Sequence, residues 1–173
     1  HEHPTQALLD MYSIREKVGK LRGLKVCIVG DISHSRVGLS NIYGLKAMGA
    51  EVSVCGPATM LPWQIESLGV KIYSNIDDAI KNNDVLNVLR IQLEREAGAS
   101  IPSVREYHNY FGVTKERLDE NNPDILILHP GPINRGVELS SEVADGPYQI
   151  ILDQVTDGVA IRMAVLYLLG TMN

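Results

Sequence analysis

The chain has 173 residues, 45% hydrophobic and 21% charged, which suits a single domain able to bury a core of ordinary size. Its formal net charge is −5 and it carries no basic run, which argues against a nucleic-acid partner, and no apolar stretch reaches the length of a membrane span. Cys27 and Cys55 both fall inside apolar, strand-like runs. Such cysteines read as small buried hydrophobes in a reducing compartment, so a cytoplasmic protein is expected.

The opening "HEHPTQALLD" runs at once into a helix over residues 4–19, with Leu8, Leu9, Tyr12 and Val18 giving it a partly apolar face. Pro4 suits the first helical position, where its missing N–H is no loss, and this puts His3 near the N-cap. "LKVCIVGD" is a short apolar run ending in Gly-Asp, a buried strand, and "ISHSR" is a polar loop. In "VGLSNIYGLKAMGA" the residues Ile42, Leu45 and Met48 stand at helical spacing, with Gly49 as the stop. "EVSVCGP" is a second strand, "MLPWQIESLG" predicts a helix, "VKIYS" a third strand, "NIDDAIKNN" a short helix and "DVLNVLR" a fourth strand.

Residues 91–113 are mostly polar and aperiodic and predict an irregular segment. "TKERLDENN" is a capped helix with Thr114 as N-cap and Pro123 beyond its end. "DILILHPGP" is a fifth strand, and a long loop leads from it to a last helix over residues 154–169. Within that helix "VAIRMAVLYLLG" is apolar on nearly every side. It is either buried under the sheet or packed on something outside this chain, and the abrupt start of the sequence favours the second reading. Alternation of short apolar strands with helices predicts an α/β fold: a Rossmann-like three-layer sandwich around a parallel sheet of about five strands.

In an open parallel sheet, ligands bind beyond the carboxyl ends of the strands. The first strand delivers Asp31, His34, Ser35 and Arg36 there, the fourth Arg90 and Gln92, and the fifth His129, Gly131, Pro132 and Arg135. Guanidinium forks match carboxylate geometry, so this rim suits a small anion, most naturally one with carboxylates. The bland readings are specific too. Arg36, taken alone, is better read as a helix start paired with a surface acid, and His34 and His129 as satisfied structural histidines. Gly131 can be a plain tight turn. Arg90 is harder to dismiss, because a charge at the end of an apolar strand must find a partner or water.

Other chemistries fit poorly. "GDISHSRVG" lacks the G-x-G-x-x-G spacing of a dinucleotide loop, and no G-x-x-x-x-G-K-[ST] or G-x-S-x-G motif occurs. "HEH" is not H-E-x-x-H, and no other His or Cys cluster completes a zinc site, so neither metal nor cofactor is expected.

Four stretches, "HPTQALLD", "GDISHSRV", "RIQLER" and "HPGPINRGVE", together resemble, in order, the motifs of the aspartate carbamoyltransferase family of pyrimidine biosynthesis. The related ornithine enzymes carry His-Cys-Leu-Pro where this chain has "HPGP" and lack the "RIQLER" form, so the resemblance favours aspartate. A pair of arginines agrees, since it suits a dicarboxylate and repels a cationic side chain. The resemblance implies a role for each matching residue. His3 and Gln6 would contact carbamoyl phosphate near its carbonyl, with His3 catalytic and His1 incidental. Arg36 would hold one aspartate carboxylate, and Arg90 the other with Gln92 beside it. Gly131 and Pro132 would present backbone oxygens to the carbamoyl amide and the incoming amine. The polar stretch after Arg90 resembles the family's mobile loop.

The family's carbamoyl-phosphate domain, with its Ser-x-Arg-Thr motif, precedes "HPTQ", and nothing here matches it. Residues 1–19 are therefore expected to be a linking helix with a carbamoyl-phosphate-contacting edge, and residues 20–153 an aspartate-binding α/β domain. Residues 154–173 would be a C-terminal helix that packs on the absent N-terminal domain. The expected partners are carbamoyl phosphate, L-aspartate, that missing domain, the homotrimer typical of the family, and a dihydroorotase or regulatory chain. Alone, the chain would bind aspartate weakly and catalyse little. The alternatives are a non-catalytic assembly module of a pyrimidine-pathway complex, or a transcarbamoylase with another amino-acid acceptor.

Overall fold

The computed structural model describes residues 2–92 and 103–171. Its framework is a five-stranded, all-parallel sheet in the order β3-β2-β1-β4-β5. The strands are β1 (Lys25–Val29), β2 (Glu51–Cys55), β3 (Lys71–Tyr73), β4 (Val85–Val88) and β5 (Leu126–Leu128). Side chains alternate across it. Val26, Ile28, Val52, Val54, Val85 and Leu128 join one core, which also takes Ile14, Ile42 and Leu45 from the helices α1 (Pro4–Val18) and α2 (Arg36–Ala47). Cys27, Val29, Cys55, Leu86, Val88 and Ile127 join the other, packed by α3 (Ile76–Asn82) and α5 (Lys115–Asn121). Runs apolar on both faces are what a parallel sheet between two helical layers requires, and the three-layer α/β expectation is met. Both cysteines are free and buried. Burial pushes the Cys27 thiol up to about 12 and Cys55 up as well, so neither is a thiolate near neutrality.

The helix starts follow local chemistry. Ser35 accepts from the Gly38 N–H to cap α2, and Thr114 accepts from Arg117 to cap α5. Two readings are corrected. Residues 60–69 form no α-helix: two 3₁₀ turns, Ala58–Met60 and Ile65–Leu68, are separated by extended Leu61, and Gln64 is left-handed at φ 58°. Pro62 lacks an N–H and disfavours helical geometry at the residue before it, which breaks the pattern. Residues 91–113 are not irregular throughout, since α4 spans Val104–Phe111 with Ser103 capping the Glu106 N–H. The remainder of the expected mobile loop, residues 93–102, lies outside the described residues. The long loop after β5 contains the single turn α6 (Ser141–Ala144), and the last helix, α7, runs over Ile151–Gly170.

The helix α7 packs against α1. Gln154 Nε2 donates to Asp10, Ser13 Oγ donates to Asp157, and a Cβ at Gly158 would meet Leu9 at 3.3 Å. The rest of α7 is bare, with Val155, Val159, Met163, Leu166, Tyr167, Leu168 and Leu169 all exposed. Among the described residues, no helix is long and apolar enough to cross a membrane.

A buried carboxylate ties these layers together. Asp10 is fully buried; Oδ1 accepts from Gln6 (2.9 Å) and Gln154 (2.8 Å), and Oδ2 from Asn41 (2.7 Å) and Asn87 (3.0 Å). One side chain thus joins α1, α2, β4 and α7. Burial raises its pKa, against the four amide donors, which stabilise the ionised form. Removing it strands buried amides, each costing about 1–3 kcal/mol when unsatisfied. Asp10→Ala is therefore expected to lower unfolding free energy by about 3–5 kcal/mol in urea denaturation, the scale of a broken buried charge network. A loss below about 1 kcal/mol would show that the hub is not structural.

Candidate active site

The strand order reverses direction between β1 and β4, and such a switch point opens a crevice at the carboxyl ends of its two strands. Val29 and Val88 are register partners, and the Leu89 N–H donates to Val29 O at 2.8 Å. Arg36 begins the helix that follows β1, and Arg90 stands two residues past β4. The two arginines therefore leave neighbouring strands at the same end of the sheet. Arg36 is exposed and Arg90 and Gln92 are half-buried. Close backbone approach sets this edge: a Cβ at Gly56 would lie 2.7 Å from Gly30 O.

His3 is the N-cap of α1. Its Nδ1 accepts from the Gln6 N–H and lies 3.3 Å from Thr5 Oγ1, and its backbone N–H donates to Ser40 Oγ of α2 at 2.9 Å. With Nδ1 used as an acceptor, the neutral ring carries its proton on Nε2, free to donate outward. Partial burial lowers the His3 pKa below 6.5, and the positive charges of Arg36 and Arg162 lower it further. Both guanidiniums therefore act on the imidazole, Arg36 from α2 and Arg162 from α7. Gln6 is buried, with its amide nitrogen held on Asp10.

The turn after β5 is built around His129 and Glu138, both fully buried. Gly131, left-handed at φ 63°, donates its N–H to His129 Nδ1 at 2.9 Å, so the opposite nitrogen, Nε2, donates to Glu138 Oε1 at 3.1 Å. The His129 N–H donates to Gln154 Oε1 at 3.1 Å, linking the turn back to Asp10. Glu138 also accepts from the Asn134 N–H (2.7 Å) and lies 3.3 Å from Asn134 Nδ2, which donates to Ile91 O at 2.7 Å. The Asn134–Ile91 bond thus ties the turn that holds Gly131 and Pro132 to the segment that carries Arg90 and Gln92.

The other rim candidates are engaged elsewhere. His34 sits on buried Asp31 at 2.9 Å and 3.0 Å, which fixes the loop after β1. Arg135, read from sequence as a rim residue, forms an exposed two-pronged pair with Asp145 at 2.7 Å and is not offered to the crevice. His108, to which the sequence assigned no role, donates from Nδ1 to Val137 O at 3.0 Å. Among the described residues, no three His, Cys, Asp or Glu groups assemble as a metal site, and His1 lies outside them.

Sequence reasoning missed Asp10, Asn41, Gln154, Asn134, Glu138 and Arg162. Asp10, Asn134 and Glu138 stand inside the quoted stretches "HPTQALLD" and "HPGPINRGVE" without a role having been read for them, and Asn87 left a signal as an amide inside an apolar strand.

Because burial first and these cations second depress the His3 pKa, its stability contribution is complete above pH 6.5 and is lost as pH falls through the depressed folded value. An NMR titration should place its midpoint below 6.5, and Arg36→Ala should move it up. A midpoint indifferent to Arg36→Ala would remove Arg36 from the neighbourhood of the ring.

The comparisons with known proteins identify the family and the fold. Residues 22–169 match the family model "Aspartate/ornithine carbamoyltransferase, Asp/Orn binding domain". The chain is 59% identical to an aspartate carbamoyltransferase catalytic subunit of Gemmatimonas aurantiaca, over 98% of this chain and 53% of that protein. It is 62% identical to one of Cytophaga hutchinsonii, over 98% and 55%. Ornithine carbamoyltransferase from Pyrococcus furiosus superposes with a TM-score of 0.82 at 27% identity, over 99% of this chain and 58% of that one. Aspartate transcarbamoylase from Trypanosoma cruzi, solved in complex with aspartate and phosphate, superposes with a TM-score of 0.75 at 27% identity, over 96% and 53%. The chain spans about half the length of the curated relatives it matches. It belongs to the aspartate/ornithine carbamoyltransferase family, within that family's amino-acid-binding domain.

Proposed function

We propose that the chain is the aspartate-binding part of an aspartate carbamoyltransferase, which transfers the carbamoyl group of carbamoyl phosphate to the amine of L-aspartate. The observation that carries the reading is the shared edge of β1 and β4, where Arg90 and Arg36, whose charge reaches His3, follow adjacent strands. One aspartate carboxylate lies on Arg36 and the other on Arg90, with Gln92 beside it. Gly131 and Pro132 offer backbone oxygens to the amine and the carbamoyl amide. His3, through Nε2–H, and Gln6 meet the carbamoyl carbonyl.

The chemistry needs no nucleophile on the protein. The neutral amine attacks the carbamoyl carbon, the new C–N bond forms, the C–O bond to phosphate breaks, and phosphate leaves with the electron pair while the amine loses a proton. Negative charge grows on the carbonyl oxygen as the amine adds. A single donor aimed at such an oxygen contributes about 3 kcal/mol in comparable enzymes. A neutral His3 suits that task, and the N-terminus of the 15-residue α1 favours an adjacent phosphate. Holding two substrates in register supplies much of the remaining acceleration.

The relatives are about twice this length, and full activity in this reading requires a carbamoyl-phosphate half in addition to this chain. The bare apolar side of α7 is the surface we assign to that half. A trimer of complete chains, further contacts with a dihydroorotase or regulatory chain, and cytoplasmic residence belong to the same proposal. Mixing this chain with a separately produced carbamoyl-phosphate domain should yield N-carbamoyl-L-aspartate. Arg90→Ala should cut that rate by about two to three orders of magnitude, the cost of deleting one partner of a hydrogen-bonded charge pair that the bound substrate covers. No product from a mixture in which both parts fold and associate would favour an assembly module instead.

A further inference from the structure

We infer that Asn134 is a positioning residue that sets the distance between the amine-receiving turn and the carboxylate clamp, and so sets the length of the acceptor amino acid. The inference rests on the proposed aspartate site. Its basis is a continuous run of hydrogen bonds, centred on the buried His129–Glu138 pair, that crosses from the β5 exit to the β4 exit. His129 holds the Gly131 N–H and is itself held by Glu138. Glu138 holds the Asn134 backbone N–H at 2.7 Å, and Asn134 Nδ2 donates to Ile91 O at 2.7 Å.

Ile91 is the residue between Arg90 and Gln92, so the amide fastens the backbone that carries the clamp. This bond ties the backbone of residues 90–92 to the turn at 130–134. The anchoring end does not yield easily: Glu138 and His129 are fully buried, and Ile91 lies in an apolar cluster with Met60, Tyr107 and Val137. The tether is therefore a strut anchored in the core, with the Asn134 amide as a removable link.

The consequence is chemical. L-Aspartate and L-glutamate present the same amine and α-carboxylate and differ by one methylene in the distance from amine to distal carboxylate. A site discriminates by that increment only if the groups meeting its two ends cannot separate. One methylene is worth about 10–200-fold in a rigid pocket, and a loosened strut forfeits it. Errors near 1 Å in such a frame also cost rate far from the reacting atoms.

The test uses this chain with L-aspartate and L-glutamate as probes, read by NMR titration. Three variants are compared: Asn134→Ala, Asn134→Leu, which keeps the volume without the amide, and Asp145→Asn, which breaks the exposed Arg135 pair in the same loop. Hydrogen exchange of the segment 85–92, measured without ligand, reports the tether independently. The inference predicts faster exchange in both Asn134 variants. It also predicts that their preference for L-aspartate over L-glutamate falls at least about tenfold, while Asp145→Asn matches the wild type. Unchanged exchange, or an undiminished preference in a folded Asn134 variant, overturns it. A wild type that prefers neither amino acid contradicts the aspartate site itself and the specificity role with it. Accelerated exchange would in that case still register the strut, which separates the two failures.

Discussion

A carboxylate buried away from solvent among four amides is the constraint on which this structure depends. Asp10 takes hydrogen bonds from α1, α2, β4 and α7. Its charge would be costly in an apolar interior, so each donor is needed, and the need fixes where the helices lie. The N-terminal turn of α1 is thereby laid against α2, which puts the His3 ring beside the end of the sheet where β1 and β4 open. Asn87 serves the same end from within the sheet: strand alternation turns it from the Leu86 and Val88 face onto the face that carries α1.

The electrostatics of the edge follow from that placement. Partial burial lowers the His3 pKa first, and the charges of Arg36 and Arg162, carried by different helices, lower it further. A neutral imidazole with Nδ1 tied down as a helix cap has one proton to offer, and it faces outward. Cations that would bind carboxylate or phosphate thus also hold the donor in its useful form. The second buried cluster, His129 with Glu138, does for the β5 turn what Asp10 does for α1. Gln154 joins the two, giving one side of its amide to Asp10 and the other to the His129 N–H.

Much of this was legible in the residues. Short apolar runs marked all five strands, because a strand covered on both faces must be apolar on both. Pro4 marked the start of α1 and hence the cap position of His3. Residues 60–69 misled because apolar spacing there is compatible with a helix while Pro62 forbids its backbone. The helix α4 carried a sequence signal that the surrounding polarity hid, since Ser103 stands three residues before Glu106 and Tyr107 and Phe111 share a face. The buried hubs could not be read at all. Asp10, Gln154 and Glu138 look like surface residues until tertiary packing brings their partners, in one case from 144 residues away. Arg135 misled for the opposite reason: its place in a recognisable motif suggested a ligand, while Asp145 ten residues later takes its charge.

The central claim is that guanidiniums at the exits of two adjacent strands clasp the two ends of a small diacid. A crystal structure of this chain grown with L-aspartate tests it most directly. The account predicts one carboxylate on Arg36 and the other on Arg90, with the amine toward the carbonyl oxygens of Gly131 and Pro132. An amino acid bound elsewhere, or held at this edge without either arginine, would contradict it.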